Sequence, residues 1–193
     1  MIGIEEAVQR AIDAKSQMYN QKDSCPEHER DIELRNLYTL ASMAPDGPAA
    51  ELGVKRGGSF FCWSCAREGR GELIAVDDWS SKTQAAFLNN VRDYGVPVKI
   101  YTMKSWEAAQ YIPGQLAFVF VDANHAEGIW EDVNVWPDKI MPGGIIAFHD
   151  YGVKKQTVQV KMAVDDWLRS TYGDWLYIGQ VGSTIAFRRK GAA

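Results

Sequence analysis

Short apolar runs alternate with helical segments through the centre of this sequence, and the alternation restricts the fold more than any other feature. The apolar runs predict five strands: Ala49–Val54, Glu72–Asp77, Val98–Met103, Leu116–Asp122 and Gly144–His149. The segments between them predict four helices: Ser59–Glu68, Lys82–Tyr94, Ser105–Tyr111 and Glu127–Ile140. Strands separated by helices pair in parallel through right-handed crossovers. The pattern therefore predicts a doubly wound α/β fold around a mostly parallel sheet.

The two ends of the chain predict further elements. These are helices over 4–19, Pro26–Met43 and Thr157–Thr171, and apolar runs over Trp175–Gln180 and Thr184–Arg188. Only three residues separate the last two runs, which is typical of a hairpin and predicts an antiparallel strand at the C-terminus. We therefore expect one domain over 1–193, with an N-terminal helical cap over 1–44 and a Rossmann-like core over 48–190.

Composition and charge narrow the classes of partner. The 193 residues are 46% hydrophobic and carry a net charge of −4, and the basic residues form no run except Arg188-Arg189-Lys190. This argues against nucleic acid and favours a small-molecule substrate. No window has the length of an apolar membrane span and the N-terminus has no signal pattern, so we expect a cytoplasmic protein with no membrane partner. The three cysteines are expected to be reduced.

A glycine-rich turn follows the first predicted strand. It contains Gly53 and Gly57-Gly58, and the next helix begins at Ser59. Backbone without Cβ atoms lets a ligand lie directly on the chain, and a helix N-terminus favours a carboxylate. Asp77 ends the second strand, where an acid can accept hydrogen bonds from ribose hydroxyls. Because Lys55 stands where a dinucleotide-binding turn requires glycine, a nucleoside cofactor without phosphates is favoured over NAD.

Several residues near this turn have a purely structural alternative. Gly57 and Gly58 could only allow tight packing of strand against helix. Trp79 either covers an adenine face or belongs to the core. Ser105 either donates a hydrogen bond near an adenine edge or caps its helix, and the cap is favoured.

Acids and imidazoles follow the fourth and fifth strands, in Asp122-Ala123-Asn124-His125 and His149-Asp150-Tyr151. Ligands bind beyond the carboxyl ends of parallel strands, so these side chains should converge on the rim that carries Gly53 and Asp77. Two carboxylates with an imidazole or water can hold Mg²⁺, which would lower the pKa of a substrate hydroxyl. His149 or His125 can instead accept the proton as a general base. The structural alternatives are a helix cap or ribose contact for Asp122 and a solvated loop residue for His125.

Four blocks of the sequence, in this order, resemble the bacterial class I S-adenosylmethionine (SAM)-dependent O-methyltransferases, particularly the branch with the macrocin-type sugar methyltransferases. The blocks are Glu51-Leu52-Gly53 with Gly57-Gly58-Ser59, Ala75-Val76-Asp77-Asp78-Trp79, Phe120 to Gly128, and Pro142-Gly143-Gly144 leading to His149-Asp150-Tyr151. The resemblance spans roughly Pro48 to Arg188. It implies O-methylation of a small-molecule hydroxyl with SAM as the cofactor.

The resemblance also implies roles for individual residues. Those expected to bind the cofactor are Glu51, Gly53, Gly57, Gly58, Ser59, Asp77, Asp78, Trp79, Ser105 and Asp122. Among them, Glu51, Gly53 and Ser59 would face the methionine part, Asp77 the ribose, and Trp79 and Ser105 the adenine. Asp122, His149 and Asp150 correspond to metal ligands, with His149 at a place often held by an acid, and the catalytic residues would be His149, Asp150 and His125. The N-terminal helices would cover the substrate or form a homodimer interface.

Other classes of function remain alternatives. The turn could belong to an NAD-type oxidoreductase or to a nucleoside-binding protein without catalysis. Cys62-Trp63-Ser64-Cys65 has the spacing of a redox pair, although cysteines one turn into a helix are commonly buried. Together with Cys25 and His28, the pair could hold a structural zinc ion.

Overall fold

One seven-stranded sheet forms the centre of the protein in a computed structural model that describes residues 2–16, 27–152, 158–171 and 173–191. The strands are β1 (Ala49–Leu52), β2 (Leu73–Val76), β3 (Val98–Tyr101), β4 (Leu116–Val121), β5 (Ile140–Phe148), β6 (Trp175–Val181) and β7 (Thr184–Arg189). Their order across the sheet is β3-β2-β1-β4-β5-β7-β6. The strands β1 to β5 run parallel, and β7 is antiparallel to β5 and β6. The predicted doubly wound sheet with an antiparallel C-terminal hairpin is confirmed.

Helices cover both faces of this sheet. They are α1 (Ile4–Ser16), α2 (Glu27–Met43), α3 (Gly58–Cys65), α4 (Gln84–Tyr94), α5 (Ser105–Ala108), α6 (Glu127–Val135) and α7 (Val158–Ser170). Successive side chains of a strand point to opposite faces. The strand β4 accordingly gives Val119 and Val121 to one buried cluster, with α6 and α7, and Phe118 and Phe120 to another, with α2 and α3. Burial on both faces explains why this strand is a continuous apolar run rather than an alternating one.

Some element boundaries differ from the prediction for local reasons. The helix expected over Glu127–Ile140 ends at Val135, and a 3₁₀ turn over Pro137–Lys139 follows, because proline cannot continue the hydrogen-bond ladder. The strand β5 begins at Ile140 rather than Gly144, and its pairing with β4 shifts register between the two positions. The helix α5 has a single turn and ends at Ala108.

The N-terminal helices pack on α3 and leave both thiols of the Cys62/Cys65 pair buried. Ala7, Val8 and Ala11 of α1 form an apolar cluster with Leu34 of α2 and the two cysteines. The thiol of Cys62 donates to the carbonyl of Leu34 at 3.3 Å, and that of Cys65 to the carbonyl of Phe61 at 3.0 Å. Burial raises the pKa of Cys65, which suppresses the thiolate that redox chemistry needs. The pair therefore has the environment of core residues.

Some expectations concern residues that the structure leaves out. Cys25, Thr157 and the expected end of the first helix over 17–19 lie outside the described residues, as does the side chain of His28. Within the described ranges, the metal-capable group contains neither Cys62 nor Cys65. No helix in those ranges combines the length and apolar character needed to cross a membrane.

Candidate functional site

A crevice opens between β1 and β4, at the place where the strand order reverses. The sheet continues from β1 to β2 and β3 on one side and from β4 to β5 on the other, so the segments after β1 and β4 diverge. A cavity of about 220 Å³ lies there. Five of the predicted cofactor-binding residues line it: Gly53, Asp77, Asp78, Ser105 and Asp122. The structure thus brings together residues from the ends of four strands, as the parallel sheet predicts.

Gly53 forms the floor of this cavity. Its φ is +89°, and a Cβ atom there would lie 2.3 Å from the carbonyl oxygen of Asp122. Backbone hydrogen bonds fix the end of β1 between its two neighbouring strands. Gly53 N–H donates to the carbonyl of Val76, and Asp122 N–H donates to that of Leu52, both at 2.8 Å. Glycine is required here because the turns after β1 and β4 touch.

Asp77 holds two loops around the cavity. Its Oδ2 accepts a hydrogen bond from the backbone N–H of Lys55 at 2.8 Å, and its Oδ1 accepts one from the N–H of Trp79 at 2.6 Å. Each carboxylate oxygen has two lone pairs, so both can accept a second hydrogen bond from a ligand. The acid predicted to contact a ribose is therefore also the residue that fixes the glycine-rich turn in place.

Trp79 does not line the cavity and packs in the core instead. Its φ is +56°, its side chain is 7% exposed, and its ring packs against Phe87 with centroids 5.3 Å apart. The aromatic side chain in the cavity wall is that of Trp106 on α5, which sequence reasoning missed. The sequence clue to Trp106 was its position directly after Ser105, a predicted cofactor-binding residue. Gly128 allows α6 to approach, since a Cβ atom there would lie 2.4 Å from the Trp106 ring.

The remaining predicted cofactor residues lie behind the cavity wall or beside a second, smaller cavity. Gly57 serves packing, because a Cβ atom there would lie 2.3 Å from the ring of Phe61, and Gly58 is buried as the first residue of α3. Fully buried Glu51 accepts hydrogen bonds from the Ser59 hydroxyl at 2.6 Å and the Trp63 indole N–H at 2.5 Å. Ser59 alone of this group reaches a cavity.

That smaller cavity, of about 60 Å³, lies on the other side of Asp122. It is lined by Ser59 of α3, by Asp122 and His149, and by Glu33 and Leu37 of α2. Asp122 belongs to the walls of both cavities. The helix α2 thus forms part of the wall of the second cavity.

His149 is surrounded by carboxylates. Its Nδ1 lies 3.0 Å from Asp122 Oδ1 and 3.6 Å from Asp150 Oδ2, and its Nε2 lies 3.5 Å from Glu33 Oε2. Burial opposes the charge on the ring, but the three acids outweigh it and raise the pKa of His149 to about 12. Burial likewise opposes ionisation of Asp122, but His149 lowers its pKa to about 2. Without a metal ion the ring is thus held as an imidazolium between the acids, and a metal ion would have to displace its proton before His149 could bind as a ligand.

His125 lies beside two of the same acids. Its Nε2 lies 3.3 Å from Asp150 Oδ2 and 3.7 Å from Asp122 Oδ1. Within the described ranges, a metal-capable group forms from these three residues, with ligand atoms within 4.8 Å of one another. Asp150 has a φ of +59°, a left-handed conformation that is uncommon outside glycine and is found at functional turns. The two predicted acids and His125 therefore converge.

The sequence model of the methyltransferase domain family matches residues 50–151, which include the crevice and the acid cluster. The chain belongs to this family. The prediction of a methyltransferase is confirmed, and the oxidoreductase alternative loses its support. No curated protein sequence matches the chain.

Solved structures of methyltransferases share the fold. The SAH-bound methyltransferase PaMTH1 of Podospora anserina is 17% identical with a TM-score of 0.68, covering 99% of this chain and 89% of its own. The O-methyltransferase TomG of Streptomyces achromogenes, in complex with SAM, is 18% identical with a TM-score of 0.69, covering 96% and 90%. The O-methyltransferase NovP is 14% identical with a TM-score of 0.74, covering 97% and 98%. At these identities the likeness establishes the fold of this methyltransferase.

Proposed function

We propose that this methyltransferase transfers a methyl group from SAM to a hydroxyl group of a small molecule. The observation that carries the proposal is the position of Asp122. Its carboxylate joins a crevice suited to a nucleoside to a cluster of two acids and an imidazole. The fold shared with the SAM complex of TomG and the SAH complex of PaMTH1 supports the choice of cofactor.

The two cavities fit the two ends of SAM. The larger cavity offers Asp77 for the ribose hydroxyls and, one strand further along the sheet, Ser105 and Trp106 for the base. The smaller cavity offers the Ser59 hydroxyl and the N-terminal end of α3 for the methionine carboxylate. When bound, SAM supplies an electrophilic methyl group on its sulfonium sulfur. The protein residues position this group beside Asp122.

The cluster of Asp122, His125 and Asp150 would activate and orient the acceptor hydroxyl. Two carboxylates and one imidazole form a donor set that divalent cations accept, and the imidazole favours Mn²⁺ over Mg²⁺. Such a cation lowers the pKa of a bound hydroxyl. The same three residues would also orient the hydroxyl for attack in line with the methyl group. If no cation binds, His125 is the residue placed to accept the proton, since His149 is already protonated.

The cap determines the shape of the space beside this cluster. Glu33, Leu34 and Leu37 of α2 form one wall of the smaller cavity. The β6–β7 turn closes the same side, because Ser183 is hydrogen bonded to Glu33. The helix α2 and this turn therefore enclose the methionine end of the proposed cofactor, next to the acid cluster where the acceptor would bind.

Calorimetric titration with SAH tests the proposal without knowledge of the acceptor. We expect micromolar binding, and tighter binding when Mn²⁺ or Mg²⁺ is present. NADH, titrated in parallel, should give no signal. Binding of NADH without binding of SAH would overturn the cofactor assignment. Binding of SAH that is unaffected by either cation and by EDTA would retain the methyltransferase and transfer the deprotonation to His125 alone.

A further inference from the structure

A buried acid lies directly behind the cavity wall and has no part in the function proposed above. Asp132, on α6, is 0% exposed, and its Oδ2 accepts a hydrogen bond from the Ser105 hydroxyl at 2.8 Å. Ser105 is 4% exposed and lines the larger cavity. The pair therefore connects a fully buried carboxylate to a hydroxyl at the ligand surface.

Ser105 lies at the end of the cavity where a nucleobase would be. Across the sheet, the order β4-β1-β2-β3 places Asp122 and Gly53 first, then Asp77, then Ser105 after the edge strand β3. With the ribose at Asp77, the base extends towards β3 and meets Ser105. This step rests on the proposed function, because it requires a nucleoside cofactor in the larger cavity.

The hydrogen bond to Asp132 determines which way the Ser105 proton points. A serine hydroxyl has one proton and two lone pairs, and an ionised carboxylate is only an acceptor. Burial raises the pKa of Asp132 to about 7, with Glu131 adding to this and Ser105 and the Trp136 indole opposing it. Above that pH the ionised carboxylate of Asp132 accepts the hydrogen bond of the Ser105 hydroxyl. The oxygen of Ser105 then presents only lone pairs to the cavity.

We propose that Asp132 is a positioning residue that makes Ser105 a hydrogen-bond acceptor towards the cavity, so that the site selects a base with an exocyclic amino group over one with an oxo group. An amino group donates to the Ser105 oxygen. An oxo group at the same place would face lone pairs with lone pairs. The site would therefore prefer adenine to hypoxanthine, the base that deamination of adenine produces.

The test compares the affinities of SAH and S-inosylhomocysteine, which differ at this position of the base, at a pH well above the pKa of Asp132. The parent protein should prefer SAH by about tenfold. Asp132→Asn keeps the shape of the side chain, but its amide can donate to the Ser105 oxygen and release the hydroxyl proton to the cavity. The preference should then fall to about twofold or less, in a protein whose cooperative melting transition shows that it is folded.

Ser105 variants provide matched controls and keep the test valid if Asp132→Asn does not fold. Ser105→Ala should lose the preference, whereas Ser105→Thr, which keeps the hydroxyl, should retain it. A folded Asp132→Asn protein with the parent's preference would overturn the inference and leave the SAM assignment intact. Absence of SAH binding by the parent would overturn the proposed function and this inference together.

Discussion

Glu33 accepts two hydrogen bonds from Ser183, one from the backbone N–H at 2.5 Å and one from the hydroxyl at 2.7 Å. These residues lie 150 positions apart, on α2 and in the β6–β7 turn. Gly182 allows the contact, because a Cβ atom there would lie 2.4 Å from Glu33 Oε1. The N-terminal cap is thus fastened to the C-terminal hairpin directly beside His149.

Replacement of Glu33 by Gln should weaken the contact between α2 and the β6–β7 turn. The negative charge of Glu33 faces His149 and strengthens both hydrogen bonds from Ser183, and the variant loses this charge. We therefore expect a loss of about 1–2 kcal/mol in the free energy of unfolding, measured by urea denaturation. Burial opposes ionisation of Glu33, but His149 and Ser183 outweigh it and lower its pKa. A depressed acid stabilises the fold above its unfolded value, so the difference from the parent should vanish as the pH falls through the folded pKa. Ser183→Ala, which removes one bond, should cost less, and equal stability of Glu33→Gln and the parent at neutral pH would contradict the prediction.

Gly53→Ala should be strongly destabilising. The new methyl group would meet the Asp122 carbonyl at a position with φ of +89°. We expect a loss of about 3 kcal/mol or more and no SAH binding. Gly95→Ala is the matched control: φ is +63° there and nothing lies within 4 Å, so only the left-handed backbone is penalised, by about 1 kcal/mol. Equal losses for the two variants in urea denaturation would show that contact with β4 is unimportant.

Asp77→Ala should weaken SAH binding by about 1–3 kcal/mol, because the ribose hydroxyls and the N–H groups of Lys55 and Trp79 lose a shared acceptor. Calorimetry measures the change. Asp78→Ala is the control on the same wall: the Asp78 carboxylate accepts a hydrogen bond from the Ser80 N–H at 2.9 Å, so its removal should have the smaller effect. Parent-like affinity of Asp77→Ala would refute the ribose role.

Replacement of His125 and replacement of His149 should change the affinity for a metal ion in opposite directions. His125→Gln removes a ligand of the acid cluster and should weaken Mn²⁺ binding about tenfold. His149→Gln removes a positive charge 3.0 Å from Asp122 Oδ1 and should strengthen Mn²⁺ binding, because like charges repel. Titration of the metal alone, followed by calorimetry, gives both values. Weaker binding for His149→Gln and unchanged binding for His125→Gln would restore His149 as the ligand.

Asp132 should make stability depend on pH in the direction opposite to that of the salt-bridged acids. Its pKa is raised from 3.8 to about 7, so between these values the folded state holds a proton that the unfolded state has lost. Stability relative to Asp132→Asn should therefore fall as the pH rises through this window, by about 1.4 kcal/mol per pH unit. Urea denaturation of both proteins across the window gives the difference, and a pH-independent difference would contradict it.

Sequence patterns predicted those parts of the molecule that depend on neighbouring residues. The strands, the turn at Gly53 and the acids Asp77, Asp122 and Asp150 all follow from local periodicity and from the rule that parallel strands end at one rim. That Trp106 rather than Trp79 lines the cavity depends on the directions in which these side chains leave the backbone after β2 and β3. Periodicity contains no information on those directions.

Glu33 and Asp132 were beyond reach for another reason. In the sequence each is an ordinary acid within a helical segment, and helices commonly carry acids on solvated faces. Their roles come from Ser183 and Ser105, which lie far away along the chain. Only the packing of the elements brings these partners together.

A single carboxylate, that of Asp122, forms part of the walls of both cavities. A ligand that engages it from one side alters the charge and the shape met by a ligand on the other side. Linkage makes this influence mutual, so each ligand must change the affinity for the other by the same factor. Occupancy of one cavity is therefore coupled to occupancy of the other through one shared side chain, with no moving lid required.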